Sequence, residues 1–219
     1  MKASVRIWLG LIVLFCFLLG GCAMPLALPM KSSLYKDYSL DDKKEMGIVI
    51  VSLTRSGYGG YRMYLMFRAL ENEFKGATGN VYLEQRFKSL DWECPKYLFK
   101  PKDIPEENPC GRLAVFELPQ GEYEFYSWRG SMASGKYTEW IEAPGGGFSK
   151  KFSVIAGKGV YIGNMHISLR YKMLEGRLFP YRDYRYRLET SDMRERDLLL
   201  FYSKHPLVTP DKVVIDILK

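Results

Sequence analysis

Two histidines in 219 residues, His166 and His205, leave little material for acid–base or metal chemistry. A serine hydrolase built on His166 needs a serine on a strand-to-helix elbow and a carboxylate partner, and no Gly-x-Ser-x-Gly occurs. Cysteine and histidine never fall at the short spacings of a zinc site, so no metal site is expected. Gly145-Gly146-Gly147 lacks the following Lys-Ser/Thr and the strand-to-helix setting of a phosphate-cradling loop, which leaves a flexible hairpin. Glu122 and Glu124 share a strand face, but without an identified sugar cleft they belong to a solvated surface. No internal repeat or low-complexity stretch is visible, and no apolar run reaches the length of a bilayer-spanning helix. The expectation is a protein without cofactor or metal, and not an enzyme.

What is present begins at the N-terminus. Lys2 and Arg6 form a positive n-region, and the apolar run from Ile7 to Leu19 has signal-peptide length. It closes in Leu19-Gly20-Gly21-Cys22, which resembles the lipobox of bacterial lipoprotein precursors. The resemblance implies that residues 1–21 are a signal peptide cut between Gly21 and Cys22. It also implies that Cys22 carries a diacylglyceryl thioether and that the new amino group is acylated. Two or more chains, at roughly 0.8 kcal/mol per buried methylene, make a stable membrane anchor. Ala23 follows the cysteine instead of the Asp that holds many such lipoproteins at the inner membrane. The expected address is therefore the outer membrane, lipid-anchored and facing the periplasm.

Cleavage there leaves 198 of the 219 residues. The leader removes two of 32 basic residues and no acidic ones, so 30 stand against 25, a formal charge of +5. That mild excess does not require nucleic acid, and a periplasmic domain rarely meets any, so no nucleic-acid partner is expected. An acidic wall polymer, an anionic headgroup or an acidic envelope protein is the natural polyanion. With Cys16 lost and Cys22 lipidated, Cys94 and Cys110 remain as a pair, which favours a disulfide in an oxidising compartment. Closing a loop of that length is credited with about 3 kcal/mol. A metal pair is the rival, and the absence of a nearby histidine speaks against it.

Residues 22–45 carry two prolines, a polar centre and a charged end, the composition of a tether. Fully extended at about 3.3 Å per residue, it spans roughly 75 Å. From Met46 the hydrophobic period is two, and residues 46–219 are expected to form one domain. Gly47 to Thr54 is apolar on both faces, as in a strand covered on both sides. Tyr61, Met63, Leu65 and Phe67 alternate with polar or larger neighbours, and further strands are expected near 80–87, 112–118, 122–128, 149–155, 158–171 and 184–188. Tyr123, Phe125 and Ser127 should share one face, opposite Glu124, Tyr126 and Trp128. Pro119-Gln120-Gly121 and Ala156-Gly157 are the expected hairpin turns. Near the end the period changes. Asp192 is a candidate N-cap with Glu195 three residues on, and Leu198, Phe201 and Tyr202 fall on one helical face before His205-Pro206. Val213 to Leu218 suggests a last edge strand. These signals together predict a mainly β protein, an antiparallel β-sandwich with one short C-terminal helix.

The segments LPQGEYEFYSW (Leu118 to Trp128), FSVIAGKGVYIGNMH (Phe152 to His166) and ERDLLLF (Glu195 to Phe201) resemble a group of bacterial envelope lipoproteins. Their central part is similar to prealbumin-like and carboxypeptidase-regulatory-like β-sandwiches, which are Ig-like in architecture. The resemblance implies a non-catalytic interaction or structural module and transfers no catalytic residue. Fold alone does not specify a task.

The candidate binding surface is a run of arginine and tyrosine. Arg170, Arg177, Arg182, Arg185 and Arg187 mix with Tyr184 and Tyr186, and strand alternation puts the two tyrosines opposite Arg185 and Arg187. Planar guanidinium groups suit carboxylate or phosphate, so an acidic protein, wall polymer or headgroup is the expected partner. An inward tyrosine face with a solvated arginine face explains the same pattern. His166 is expected on a strand face with Ile162, Asn164 and Ser168, and His205 at the carbonyl end of the helix.

Overall fold

A computed structural model describes residues 38–41, 45–57, 61–70, 78–83, 110–134, 137–142, 148–175 and 181–218. Cys22, Gly21, Cys94, Arg177 and the 145–147 glycines lie outside the described residues. The chain is mainly β, with one α-helix and two five-stranded sheets among the described residues.

Strand β1 (Met46–Gly57) explains the continuous apolar run. Its odd residues Val49, Val51 and Leu53 enter one core, and its even residues Ile48 and Ile50 enter another on the opposite face. The same alternation places β2 (Tyr61–Ala69) with Met63, Leu65 and Phe67 inward. Then follow β3 (Thr78–Leu83), β4 (Cys110–Pro119), β5 (Gly121–Ser134), β6 (Tyr137–Glu142), β7 (Lys150–Val154), β8 (Gly159–Leu174) and β9 (Tyr181–Ser191). Helix α1 (Arg194–Lys204), a 3-10 turn (Pro210–Lys212) and β10 (Val213–Ile215) complete the chain. Strand β6 was absent from the sequence expectation.

In the first sheet β1 lies between β4 and β8, and β8 is flanked beyond by β10 along its first residues and by β9 along the rest. The second sheet runs β3-β2-β5, with β7 and then β6 along the far edge of β5. A wholly antiparallel arrangement is not what forms: β1 and β10 both run parallel to β8, so the first sheet is mixed.

Both expected hairpins are corners between sheets instead. Pro119-Gln120-Gly121 joins β4 of the first sheet to β5 of the second, and Ala156-Gly157 carries the chain from β7 back to β8. At Gly121 φ is 151°, a conformation that disfavours any side chain, and it turns the strand away from its predecessor. The Tyr123 hydroxyl donates to the Pro119 carbonyl at 2.9 Å and fixes the corner. Burial pushes that phenol up to about 12.

The larger core takes side chains from both sheets. Phe67 stacks on Phe116 of the first sheet at 5.6 Å and meets Phe125 edge-on at 5.9 Å, while Phe125 lies 4.9 Å from Phe152. Truncating a ring this enclosed costs about 3–5 kcal/mol. The β2–β5 register slips between Met66 and Phe67, with Tyr126 as the extra residue, and the slip corrects the facing of Trp128. Trp128 joins Tyr123 and Phe125 inside, where it meets Tyr186 edge-on at 4.6 Å.

Phe201 of α1 and Val208 cover the other face of the first sheet, against Ile48, Ile50, Leu113, Val115 and Tyr161. Leu198 and Tyr202 pack beside them, as their helical spacing predicts. Met193, not Asp192, holds the N-cap position. Asp192 still accepts from the Arg194 backbone N–H at 3.1 Å, so its carboxylate serves the helix start from one residue further out. His205 caps the far end through its backbone N–H and lies buried against Phe201. Tyr38 and Leu40, inside the expected tether, pack on this same layer, and the Tyr38 hydroxyl donates to Glu117 at 2.7 Å. Burial, with Glu117 alongside, pushes the Tyr38 phenol upward. Tyr38 and Leu40 are thus part of the domain's packing although they fall within the expected tether of residues 22–45.

Candidate functional site

Beyond Ile50 the helix-covered face of the first sheet turns polar. Ser52, Thr54 and Ser56 occupy alternate positions of β1, and all three are fully buried. Their partners come from β8, where one backbone irregularity decides the facing. Ile50 pairs with Tyr161 and Ser52 with Asn164, so β8 spends two residues, Ile162 and Gly163, where β1 spends one. That is a bulge, and Gly163 takes φ of 100° to make it. Without it Ile162, Asn164 and His166 would share a face, as expected from alternation. With it Ile162 stays in the inter-sheet core, and Asn164 and His166 turn toward the row of hydroxyls.

A continuous chain of hydrogen bonds results. The Ser56 hydroxyl lies 2.9 Å from His166 Nε2, and the Thr54 hydroxyl lies 2.9 Å from its Nδ1. Thr54 donates to Asn164 Oδ1 at 3.0 Å, the Ser52 hydroxyl oxygen lies 2.9 Å from the same atom, and Asn164 Nδ2 donates to Ser191 at 3.2 Å. Ser52 also reaches Asp197 Oδ2 at 2.6 Å, where the Tyr161 hydroxyl donates at 2.7 Å. Arg196 Nε donates to the other oxygen of Asp197 at 2.8 Å. Asp197 is fully buried in α1, and these donors offset the cost of removing its charge from water. Burial first, and Asp197 second, raise the Tyr161 phenol well above its ordinary range. The helix is thereby tied to the centre of the sheet by polar contacts as well as by Phe201.

The expected arginine–tyrosine surface lies further along the same sheet. In the β8–β9 pairing Ser168 stands opposite Arg187, Arg170 opposite Arg185, Tyr171 opposite Tyr184 and Met173 opposite Arg182. Arg170, Arg185 and Arg187 are exposed, while Tyr186 turns inward to Trp128. Arg170 and Arg185 are directly opposed in the register, which brings two like charges to neighbouring strand positions. The Arg187–Glu189 ion pair at 2.6 Å is exposed and contributes little to stability. For Arg182 and Tyr184 the strand register alone is described.

The remaining expectations fall elsewhere. Glu124 is not a solvated carboxylate: Ser149 donates to one oxygen, and Arg68 donates to the other through Nε and Nη2 at 2.9 and 2.7 Å. Cys110 is disulfide-bonded, and its sulfur receives the buried Arg55 Nε at 3.5 Å. No group of three His, Cys, Asp or Glu suited to a metal ion occurs among the described residues. No helix among them is long and apolar enough to cross a membrane.

Sequence reasoning missed the buried row because its members come from three distant segments. The one local signal was Ser-x-Thr-x-Ser in a strand otherwise apolar on both faces. No protein-family model matches the chain, and no curated protein matches it.

Proposed function

We propose that the chain is a bacterial outer-membrane lipoprotein. In this reading acyl chains on Cys22 hold a periplasm-facing domain that works as a non-catalytic interaction or structural module of the envelope. The observation that carries the reading is Leu19-Gly20-Gly21-Cys22 at the end of the apolar run. A disulfide-bonded Cys110 fits an oxidising compartment. The two sheets are assigned to a β-sandwich of prealbumin-like or Ig-like kind, similar to the envelope lipoproteins that the sequence resembles. The Tyr123 contact to Pro119, at a strand that changes sheets, is similar to the tyrosine corner of such folds and supports this. The alternative within this reading is a binder of an anionic ligand, a wall polymer, headgroup or acidic protein, recognised at Arg170, Arg185 and Arg187.

Metabolic labelling with a radioactive fatty acid tests the anchor. Label in the wild type that disappears in Cys22→Ala, with loss from the membrane fraction, is expected; equal labelling of both would remove the lipoprotein reading. Crosslinking in intact envelopes tests the partner. Arg185→Ala with Arg187→Ala should weaken a recurrent crosslink and its salt dependence, and an unchanged crosslink would discard the arginine surface.

A second reading, an unrecognised hydrolase, is favoured by one contact, Ser56 at 2.9 Å from His166 Nε2. Against it, Thr54 and not a carboxylate occupies Nδ1, and Ser56 is fully buried. Reaction of Ser56 with a fluorophosphonate, lost in His166→Ala, is the result that would revive it.

A further inference from the structure

Arg55 is among the largest fully buried side chains of the described residues, at 1% exposure. It follows Val49, Val51 and Leu53 along β1, so strand alternation carries a cation to the end of an apolar row. A guanidinium does not shed its charge, and burying a charge is costly unless hydrogen-bonding partners compensate it. One of its donors is committed to sulfur. Arg55 Nε lies 3.5 Å from Cys110 Sγ, and Cys110 is itself fully buried and disulfide-bonded.

That contact is poorly matched to the oxidised state. A disulfide sulfur is neutral and a weak acceptor, whereas a thiolate is an anion, and charge-assisted hydrogen bonds are roughly twice as strong as neutral ones. A cysteine beside an arginine ionises below the ordinary thiol range. Arg55 therefore interacts more strongly with reduced Cys110 than with oxidised Cys110, and a difference of this kind is what shifts an equilibrium. The strand pairing keeps the two groups together in both states. Arg55 and Cys110 are directly opposed in the β1–β4 register. Beside them Gly111 lies so close to β1 that an added Cβ would stand 2.5 Å from the Leu53 carbonyl oxygen. Opening the disulfide leaves this main-chain pairing intact, so the released sulfur stays within reach of Nε.

We infer that the Cys110 disulfide is a redox-responsive bond whose reduction Arg55 favours, with a dithiol as the reductant. The step is a thiol–disulfide exchange. Because Cys110 is buried, a thiolate of the dithiol attacks the sulfur bonded to it. A mixed disulfide forms as the old bond breaks, and Cys110 leaves as a thiolate that carries the bonding pair beside Arg55. The second thiol of the reductant gives up its proton and displaces the other sulfur, so the dithiol becomes a disulfide and the protein gains two electrons. A stabilised leaving thiolate speeds the first displacement and favours its product. The inference goes beyond the lipoprotein reading and does not depend on the anchor at Cys22.

The test equilibrates the whole chain in mixtures of reduced and oxidised dithiothreitol, quenches it in acid, and labels free thiols with N-ethylmaleimide after unfolding. Mass spectrometry then reads the reduced fraction at Cys110 alone, so the other cysteines do not enter the measurement. For the wild type the equilibrium constant for reduction should rise with pH between about pH 5 and pH 8, because the product thiol ionises there while dithiothreitol stays protonated. Arg55→Met keeps an apolar stem and removes the charge. It should lower the constant near neutrality at least about tenfold, which is about 30 mV for a two-electron couple, and flatten the rise with pH. An arginine that only supports the fold would leave the pH profile unmoved. Circular dichroism establishes that the variant is folded, and Arg55→Gln, which keeps N–H donors without the charge, replaces it if it is not. Two results overturn the inference: a wild-type constant that is flat across this range, or a folded variant that retains the wild-type slope.

Discussion

His166 stands between two hydroxyls of a neighbouring parallel strand, Thr54 at Nδ1 and Ser56 at Nε2, each at 2.9 Å. A neutral imidazole has one donor and one acceptor, so the direction of each bond is fixed by where the hydroxyl protons go. Thr54 has a single proton and gives it to Asn164 Oδ1. Its oxygen then accepts from His166 Nδ1, and Nε2 accepts from Ser56. Nitrogen-15 NMR of the imidazole should report the Nδ1–H tautomer, and an Nε2–H spectrum would reverse the chain of donors.

The same arithmetic sets the consequence of breaking the chain. His166→Ala removes one hydrogen bond from each of two buried hydroxyls, while Thr54 keeps Asn164, and at about 0.5–1.5 kcal/mol per bond the two together contribute about 1–3 kcal/mol. Urea unfolding should show a loss within that range, larger than for a surface histidine. Ser56→Ala removes one bond and one hydroxyl together, so its cost should be smaller, about 1 kcal/mol. Equal losses for the two variants would show that His166 is held chiefly by other contacts.

Asp197 gives a second stability prediction. Ser52 and Tyr161 both donate to Oδ2, and Arg196 donates to Oδ1. Asp197→Asn keeps the shape but replaces one acceptor with a donor and leaves Arg196 without its counter-charge. A loss of about 2–4 kcal/mol is expected, with the helix detaching first. Tyr161→Phe should lose about 1–2 kcal/mol, and the double variant less than the sum, because both act through one oxygen. Additive losses in denaturant unfolding would argue against that shared bond.

The strands were legible in the sequence wherever one residue in two was apolar and the chain stayed regular. Val49, Val51 and Leu53 against Ile48 and Ile50 is a pattern that period two reveals. The connections were not legible. A Pro-x-Gly turn bends the chain equally well into a hairpin or across to the opposite sheet, and Gly121 does the second because β5 finds β2 and β7 as its neighbours. Trp128 and Asn164 were assigned to the wrong faces for one shared reason. Each follows a bulge, and a single extra residue inverts every facing after it. The buried polar row escaped notice because it depends on the Gly163 bulge, and a lone glycine in a strand announces a bulge only weakly.

Gly163 can therefore be tested as the hinge of that arrangement. Its φ of 100° disfavours any side chain, and an added Cβ would stand 3.0 Å from the Ser191 carbonyl oxygen. Gly163→Ala should destabilise by about 1–3 kcal/mol from backbone strain alone. Chemical shifts of Asn164 and His166 should move more than those of Val160 or Ile162, since relief of strain works by undoing the bulge. A variant with unchanged stability would show that β8 tolerates the extra residue without help from glycine.

Cys110 lies opposite Arg55 in the β1–β4 register, at the end of the strand pair. Because the cysteine is disulfide-bonded, Cys110→Ser should cost about 2–4 kcal/mol, and reduction of the wild type should cost the same. Peptide mapping without reduction is expected to recover Cys110 joined to Cys94. Recovery with any other cysteine would overturn the pairing inferred from the sequence.

Glu124 supplies the pH dependence. The Ser149 hydroxyl and then the Arg68 guanidinium hold its carboxyl below the ordinary glutamate range, with Lys151 adding from the neighbouring strand. A carboxyl that binds protons less readily when folded contributes stability that is complete above the unfolded value of about 4.3 and is lost as pH falls through the folded one. Arg68 also lies over the Tyr126 ring at 5.1 Å, so protonating Glu124 frees a cation that retains a second contact. The melting temperature should thus fall between about pH 5 and pH 2, and Glu124→Gln should flatten that limb while lowering the plateau near neutrality. Parallel acid limbs for the variant and the wild type would assign the acid sensitivity to other carboxylates.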